Sequence, residues 1–271
     1  MNHLFCFGFG FTAQHLAKLL PRGEWRVSGT VRRPDGLVSL AAQDVEGFIF
    51  DELSEIPASV THILTSIPPD ETGDLVVRKF AGQLSRPFQW VAYLSTTGVY
   101  GDRQGGWVDE ESALQPTSER ARRRLLAETQ WLPFKAHIFR LPGIYGPGRS
   151  QLDAIRDGTA RRIVKPSQIF SRIHVEDIAG ILAASMARPN PGRVYNVADD
   201  EPCAPQDVVT YAAELLSMTP PPEIDFDNAN LSAMARSFYD DSKRVSNLRI
   251  KQELGYVLKY PNYRAGLKAL L

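Results

Sequence analysis

The chain is poor in cysteine and has no surplus of either charge. Its 271 residues hold two cysteines, Cys6 and Cys203. They match no zinc-ligand or redox spacing, so no metal site is expected. Lys and Arg number 31, and so do Asp and Glu, giving a formal net charge of zero. Non-specific attraction to nucleic acid or to an anionic membrane surface is therefore not expected. No apolar run approaches membrane-spanning length. Residues 1–20 lack a basic start and a small-residue cleavage site, so a signal peptide is not expected there. Internal repeats and low-complexity tracts are missing too. A reducing cytoplasm is the compartment these features suggest.

What is present suits a sizeable globular core. Hydrophobic residues make up 43% and charged residues 23% of the chain, ordinary values for such a protein. His3–Phe7 reads as a short buried strand. Gly8-Phe9-Gly10-Phe11-Thr12-Ala13 follows, and then a helical stretch through Leu16, Leu19 and Leu20 to Pro21. This is strand, glycine turn and helix, with G-x-G-x-x-A at the junction. Gly8 permits the tight turn. Gly10 has no side chain to hold a pyrophosphate away from the backbone, and Ala13 lets helix and strand pack closely. The helix N-terminus offers N–H groups and a positive dipole end. Gly8, Phe9, Gly10, Phe11 and Thr12 are thus candidate dinucleotide contacts. The plainer alternative is a βα turn whose glycines serve packing alone.

The second strand, Trp25–Val31, leads into Arg32-Arg33-Pro34. A unit specific for NAD usually carries an acid at this point, to hold the ribose 2′-hydroxyl. Two arginines instead suit the 2′-phosphate of NADP, and a guanidinium also stacks on adenine. NADP(H) is therefore expected over NAD, with Arg32 and Arg33 as readers. The alternative is a pair of solvated loop arginines. A third strand, Gly47–Phe50, delivers Asp51 towards the adenine edge or into a turn. A fourth, Thr61–Ser66, ends at Ile67-Pro68-Pro69. The double proline stops it at the carboxyl edge of the sheet, where a ligand would lie, so Ser66 and Ile67 join the candidates. Glu71–Leu84 has a helical pattern. A fifth strand, Phe88–Leu94, runs into Ser95-Thr96-Thr97-Gly98-Val99-Tyr100-Gly101.

That last stretch resembles the S-[ST]-x-x-V-Y-G signature of extended short-chain dehydrogenase/reductases of the NAD-dependent epimerase/dehydratase group. Further matches follow in order: Arg140-Leu141-Pro142-Gly143-Ile144-Tyr145-Gly146-Pro147-Gly148-Arg149, His174-Val175-Glu176-Asp177-Ile178 and Tyr195-Asn196-Val197. The terminal Tyr260-Pro261-Asn262-Tyr263-Arg264-Ala265-Gly266-Leu267 is similar to the tail of the YeeZ-like group of atypical members. The resemblance covers nearly the whole chain. It implies an α/β fold with a doubly wound, Rossmann-type parallel sheet and a small C-terminal substrate lobe. Residues 1–143 and about 173–200 would form the dinucleotide-binding part, and about 144–172 and 201–271 the lobe. It further implies cofactor contacts from Ser95, Pro142, Gly143, Ile144 and Tyr145, a small-molecule substrate, and a homodimer built on the helices near 71–84 and 117–132.

Two departures stand out. The glycine pattern of the group is G-x-x-G-x-x-G, whereas here Phe7, Gly10 and Ala13 take its places. Its catalytic Y-x-x-x-K is missing. With Thr96 at the group's catalytic Ser/Thr and Glu128 at its following glutamate, Arg120 falls at the tyrosine and Arg124 at the lysine. An arginine cannot act for the phenol, because it stays protonated and has no acceptor. Arg124 can still donate to a ribose or phosphate. Arg120, Arg124 and Glu128 share a helix face, which also allows an Arg124–Glu128 pair. The alternative is a solvated basic face extended by Arg122 and Arg123. Thr96, Arg120 and Arg124 are the catalytic candidates.

Other residues are read more plainly. Tyr100 and Tyr145 are expected to pack or touch substrate. Asp109 and Glu110 are expected in a solvated loop, His174 at a strand end, and Asp177 as a cap on the next helix. Arg161, Arg162, Lys165, Arg172, Lys243 and Arg244 are basic candidates in the lobe. The function expected is an NADP(H)-dependent oxidoreductase or epimerase acting on a small, nucleotide-sugar-like substrate. The alternative is a catalytically inactive protein that senses NADP(H) and binds a partner.

Overall fold

A computed structural model describes all 271 residues. Strand and helix alternate from the start: β1 (Asn2–Phe7), α1 (Phe11–Leu19), β2 (Trp25–Val31), α2 (Asp35–Ala41), β3 (Glu46–Ile49), β4 (His62–Thr65), α3 (Leu75–Leu84) and β5 (Trp90–Thr96). A 3-10 turn at Thr97–Tyr100 leads to β6 (Trp107–Val108), α4 (Glu119–Trp131), β7 (His137–Leu141) and β8 (Gly143–Tyr145). Then come α5 (Gln151–Arg156), β9 (Arg162–Val164), β10 (Arg172–His174), α6 (Val175–Ala187) and β11 (Val194–Asn196). The chain closes with α7 (Pro205–Leu215), β12 (Glu223–Asp225), α8 (Ala233–Ser237), β13 (Arg244–Val245), α9 (Leu248–Leu254) and α10 (Tyr263–Lys268).

The chain forms two compact units. The first comprises Met1–Thr96, Arg122–Arg140 and Ile178–Tyr195. Its centre is a seven-stranded parallel sheet in the order β11-β7-β5-β4-β1-β2-β3. The order reverses direction between β1 and β4, so their carboxyl ends flank the crevice where ligands sit in doubly wound sheets. β1 is buried on both faces and apolar from Leu4 to Phe7. Phe5, Phe7, Phe80, Tyr93 and Trp131 fill the core beside it. The helix expected from Glu71 begins at Leu75. Asp74 caps it, accepting from Val76 N at 2.8 Å and Val77 N at 3.0 Å, and a carboxylate cap fixes a helix start better than composition does. β5 runs two residues further than the sequence suggests, so Ser95 and Thr96 belong to the strand.

The second unit comprises Thr97–Ala121, Leu141–Asp177 and Asn196–Leu271. It is assembled from small parallel pairs, β8 with β10, β9 with β12 and β6 with β13. Leu152, Ile155, Val208, Ala212, Tyr263 and Leu267 form its core. The segment after β5, read from the sequence as part of the dinucleotide-binding region, lies in this unit. Trp107 and Val108 pair with Arg244 and Val245, and Tyr100 Oη donates to Asn196 Oδ1 at 2.7 Å. No helix is long and apolar enough to cross a membrane, and no group of three or more His, Cys, Asp or Glu is arranged to hold a metal ion.

Candidate functional site

The glycine turn is fixed from β2. Gly8 N donates to Thr30 Oγ1 at 2.9 Å, and Phe9 N to the Thr30 carbonyl at 3.0 Å. Ser66, just past β4, donates its hydroxyl to the Gly8 carbonyl at 2.8 Å. Gly8 has φ +85°, and a Cβ there would lie 3.0 Å from Ser66 Oγ and 3.1 Å from Ile67 Cγ1. The turn therefore needs glycine on two counts. Phe9 points inward: its ring is buried and occupies the space that a side chain on Gly29 would take. Phe9 thus holds the turn in place, with its N–H already committed.

Gly10 is the N-cap of α1, and no side chain caps this helix. A Cβ built on Gly10 meets nothing within 4 Å. The first N–H groups of α1 thus have no side-chain partner and face an open glycine, an arrangement with room for an anion. Thr12 is buried under it and Phe11 packs against His15. Two residues beyond Thr30, the chain exposes Arg32 and Arg33. No ion pair or hydrogen bond engages either guanidinium. Asp51 is exposed after β3, and its carbonyl accepts from Lys79 Nζ at 2.8 Å.

At the carboxyl end of β5 lies a buried polar network. Ser95 donates to Glu128 Oε1 at 2.5 Å. Arg140, on β7, reaches the same carboxylate through Nε at 3.1 Å and Nη2 at 2.8 Å. The Arg140 and Glu128 side chains are only 5% and 6% exposed. Glu128 therefore turns to Arg140 and Ser95, and the Arg124–Glu128 pair allowed by helical spacing does not form. Arg124 Nη1 instead donates to Tyr93 Oη at 3.0 Å and to the Leu94 carbonyl at 2.9 Å. This lays the guanidinium along the last residues of β5. Tyr93 is fully buried, and burial pushes its phenol well above the usual range, so it anchors Arg124 without offering an exposed proton. Thr96 is half-buried at the strand end.

In the second unit, Arg120 is exposed, and its guanidinium lies 4.8 Å from the centre of the Phe238 ring. Tyr100 is buried, with its hydroxyl given to Asn196. Tyr145 is buried against Gly266, where a Cβ would collide with its hydroxyl. Burial raises the Tyr145 pKa far above ordinary. Gly143, Ile144 and Tyr145 line a cavity of about 450 Å³ together with Arg149, Asp153 and Arg172; Pro142 is half-buried just before them. Arg172 donates to Cys203 Sγ at 2.8 Å.

Two expectations change here, those for Glu110 and Asp177, while His174 ends β10 as expected. Glu110 is not solvated: its side chain is 3% exposed and accepts from Asn196 N at 2.7 Å, and burial raises its pKa. Asp177 does not cap a helix. Its carboxylate takes up Lys259 N, Tyr260 N and Tyr256 Oη and so pins the C-terminal segment. His174 is wholly buried, with its ring centre 4.1 Å from that of Tyr260, a packing role. Sequence reasoning missed Arg140 and Tyr93 as partners of the network. The signal available was Arg140, a charged residue inside the otherwise apolar strand β7.

No protein-family model matches the chain. It is 52% identical, over 100% of its length and 98% of the other chain, to a conserved protein of unknown function from Silicibacter pomeroyi, with a TM-score of 0.94. It is 27% identical to protein YeeZ of Escherichia coli (strain K12), over 94% of this chain and 95% of that protein. A human epimerase family protein, solved with NADPH, is 18% identical with a TM-score of 0.74, covering 100% and 99% of the two chains. MoeE5, solved with UDP-glucose and NAD, is 19% identical with a TM-score of 0.79, covering 98% and 96%. The last two likenesses establish the fold.

Sheet order and glycine turn define the class, a protein with a Rossmann-type α/β fold, the fold it shares with the human epimerase family protein and with MoeE5. Within that class the chain belongs to one family with the Silicibacter pomeroyi protein, and YeeZ is similar to it from end to end.

Proposed function

We propose that the protein binds NADP(H) on the glycine turn and acts as an oxidoreductase or epimerase on a small, nucleotide-sugar-like substrate. The observation that carries the reading is the junction of α1 with β2. An uncapped helix start, an open Gly10 and two exposed, unengaged arginines are tied together through Thr30. These residues fit a dinucleotide. The N–H groups of the α1 start would take the diphosphate, and Arg32 and Arg33 the 2′-phosphate. The structural neighbours solved with NADPH and with NAD and UDP-glucose are in keeping with this.

A nicotinamide cofactor would supply hydride transfer. The chain's own residues would do the rest by position. Thr96 would hydrogen-bond a substrate carbonyl oxygen. Arg124, steadied by Leu94 and Tyr93, would donate to the cofactor ribose. Glu128 and Arg140 would hold Ser95 and the strand end rigid. A guanidinium neither gives nor takes a proton near neutral pH, so the proton on the substrate oxygen would pass through water. The same reading includes a homodimer through α3 and α4, which sedimentation at several concentrations tests.

The sensor reading is favoured by one observation: the hydroxyls of Ser95 and Tyr100 are both committed to internal partners. Titration with NADPH and NADH, followed by fluorescence, tests the common ground of both readings. NADPH should bind more tightly than NADH, and Arg32→Asp with Arg33→Ala should weaken NADPH by about tenfold or more while leaving NADH little changed. Failure of both nucleotides to bind would end both readings. Turnover of carbonyl substrates with NADPH, lost in Arg124→Leu, would separate enzyme from sensor.

A further inference from the structure

The cavity of about 450 Å³ that begins at Gly143, Ile144 and Tyr145 lies wholly within the second unit. Its wall is apolar at Val208 and Leu267 and charged at Arg149, Arg172, Asp153 and Asp157. The charges balance, two against two. Asp153 is occupied, since it accepts from Ser150 N at 2.8 Å and from Ser150 Oγ at 2.7 Å in the cap of α5. Asp157 and Arg149 are exposed at the surface.

Arg172 is held differently. It is half-buried, and Nη1 donates to Phe170 O at 3.2 Å and to Cys203 Sγ at 2.8 Å. Nε and Nη2 donate to no group of the chain, and no carboxylate is ion-paired with this guanidinium. Those two nitrogens form an edge that matches both oxygens of a carboxylate. Asp199 acts on Arg172 electrostatically without bonding to it, and its Oδ2 has no hydrogen-bond partner. Burial pushes Asp199 up to about 8, so near neutral pH it is the uncharged acid and leaves the Arg172 charge unanswered.

Tyr263 supplies a second donor. It lines the same cavity and is only 1% exposed, yet its hydroxyl bonds to no other group. Its phenol feels Cys203, the sulfur that Arg172 holds, and Cζ of Arg172 lies 6.0 Å from the centre of the Tyr263 ring. The two idle donors therefore converge. A buried donor without an acceptor is costly, and a cationic donor beside a hydroxyl is answered best by an anion.

We propose that this cavity binds a small monocarboxylate with an apolar body. The carboxylate takes the Nε–Nη2 edge of Arg172 and the Tyr263 hydroxyl, and the body lies on Val208 and Leu267. The balanced wall favours one negative charge over the two of a phosphate group, which Asp153 and Asp157 would repel. The volume is that of an ordinary small-molecule pocket. As a binding site it does not rest on the cofactor reading. Where that reading also holds, Gly143, Ile144 and Tyr145 join the two, and the carboxylate belongs to the substrate.

The test is calorimetry on the full chain, without nucleotide, using three probes of one shape: cyclohexylacetate, cyclohexylacetamide as the neutral isostere, and cyclohexylmethylphosphonate as the dianion. Cyclohexylacetate should bind about tenfold or more tightly than either of the others. Arg172→Met should weaken it about tenfold or more, and Tyr263→Phe about threefold or more. Tyr263→Phe removes only a hydroxyl that the fold does not use, so it should melt no lower than the parent, and it carries the test if Arg172→Met fails to fold. No binding of cyclohexylacetate, equal binding of the amide, tighter binding of the phosphonate, or undiminished binding by Tyr263→Phe would each overturn the proposal. NADPH binding is a separate measurement, so the failure of one leaves the other standing.

Discussion

The two units differ in which ionisable groups they bury. In the first, buried charge is paired: Glu128 meets Arg140 and Ser95 under the sheet. Its buried histidines His3, His62 and His137 all have pKa values lowered by burial, that of His62 to about 4. In the second, several buried carboxyls stand beside buried His174 and a Lys243 paired with Asp241. Burial raises Glu110, Asp177 and Asp199, the last to about 8. The first unit has one such carboxyl as well: burial raises Asp74, whose Oδ1 caps α3. A unit patched from two-stranded pairs and short helices leaves carboxyls where ligands or loops must meet them.

The largest test of this contrast breaks the pairing in the first unit. Glu128→Ala strands Arg140 in the core and should cost about 3–5 kcal/mol, read by urea unfolding. A loss under 1 kcal/mol would mean that the pair is not closed in solution. Next, Asp199 in the second unit should respond with opposite sign. The folded pKa of Asp199 is raised above its unfolded value, so stability is complete in acid and declines as pH rises from about 4 to about 8. Asp199→Asn should therefore stabilise the protein by on the order of 3 kcal/mol at pH 8 and by nothing near pH 4. Thermal melts across that range would show it; a constant difference would refute the burial argument.

His62 sharpens the comparison from the other side. Its folded pKa is lowered to about 4, so its contribution is complete above about pH 6.5 and is lost as pH falls towards 4. His62→Gln should flatten the acid limb by about 2 kcal/mol. The smallest effect concerns the packing of Tyr145. Gly266→Ala places a methyl on its hydroxyl and should destabilise by about 1–2 kcal/mol, despite alanine's better helix propensity. Adding Tyr145→Phe should recover part of that loss.

Much of the first unit could be read in advance, for physical reasons visible in particular residues. β1 carries an apolar run, Leu4–Phe7, bounded by glycine, and β2 lies at Trp25–Val31 as its sequence indicates. Helix α2 has no sequence signal, because within the short stretch Asp35–Ala41 only Leu40 is buried and no period shows. The start of α3 was misplaced because Asp74 could be recognised as its cap only once its carboxylate was seen on Val76 and Val77. The second unit was far less legible. Its strands are two or three residues long, too short for alternation to register.

The candidate site divides along the same line. Gly8, Gly10, Ala13 and the Arg32–Arg33 pair are local chemistry, and the sequence alone identified them as a turn and its neighbours, since backbone demands are written residue by residue. Whether Glu128 would face Arg124 or Arg140 was left to the tertiary structure. Helical spacing permits the first, but only the packing of α4 over β5 and β7 puts a buried guanidinium and a buried carboxylate 2.8 Å apart. Likewise no pattern marked Asp199, because an unpartnered carboxyl oxygen is defined by what fails to surround it, and surroundings exist only after folding.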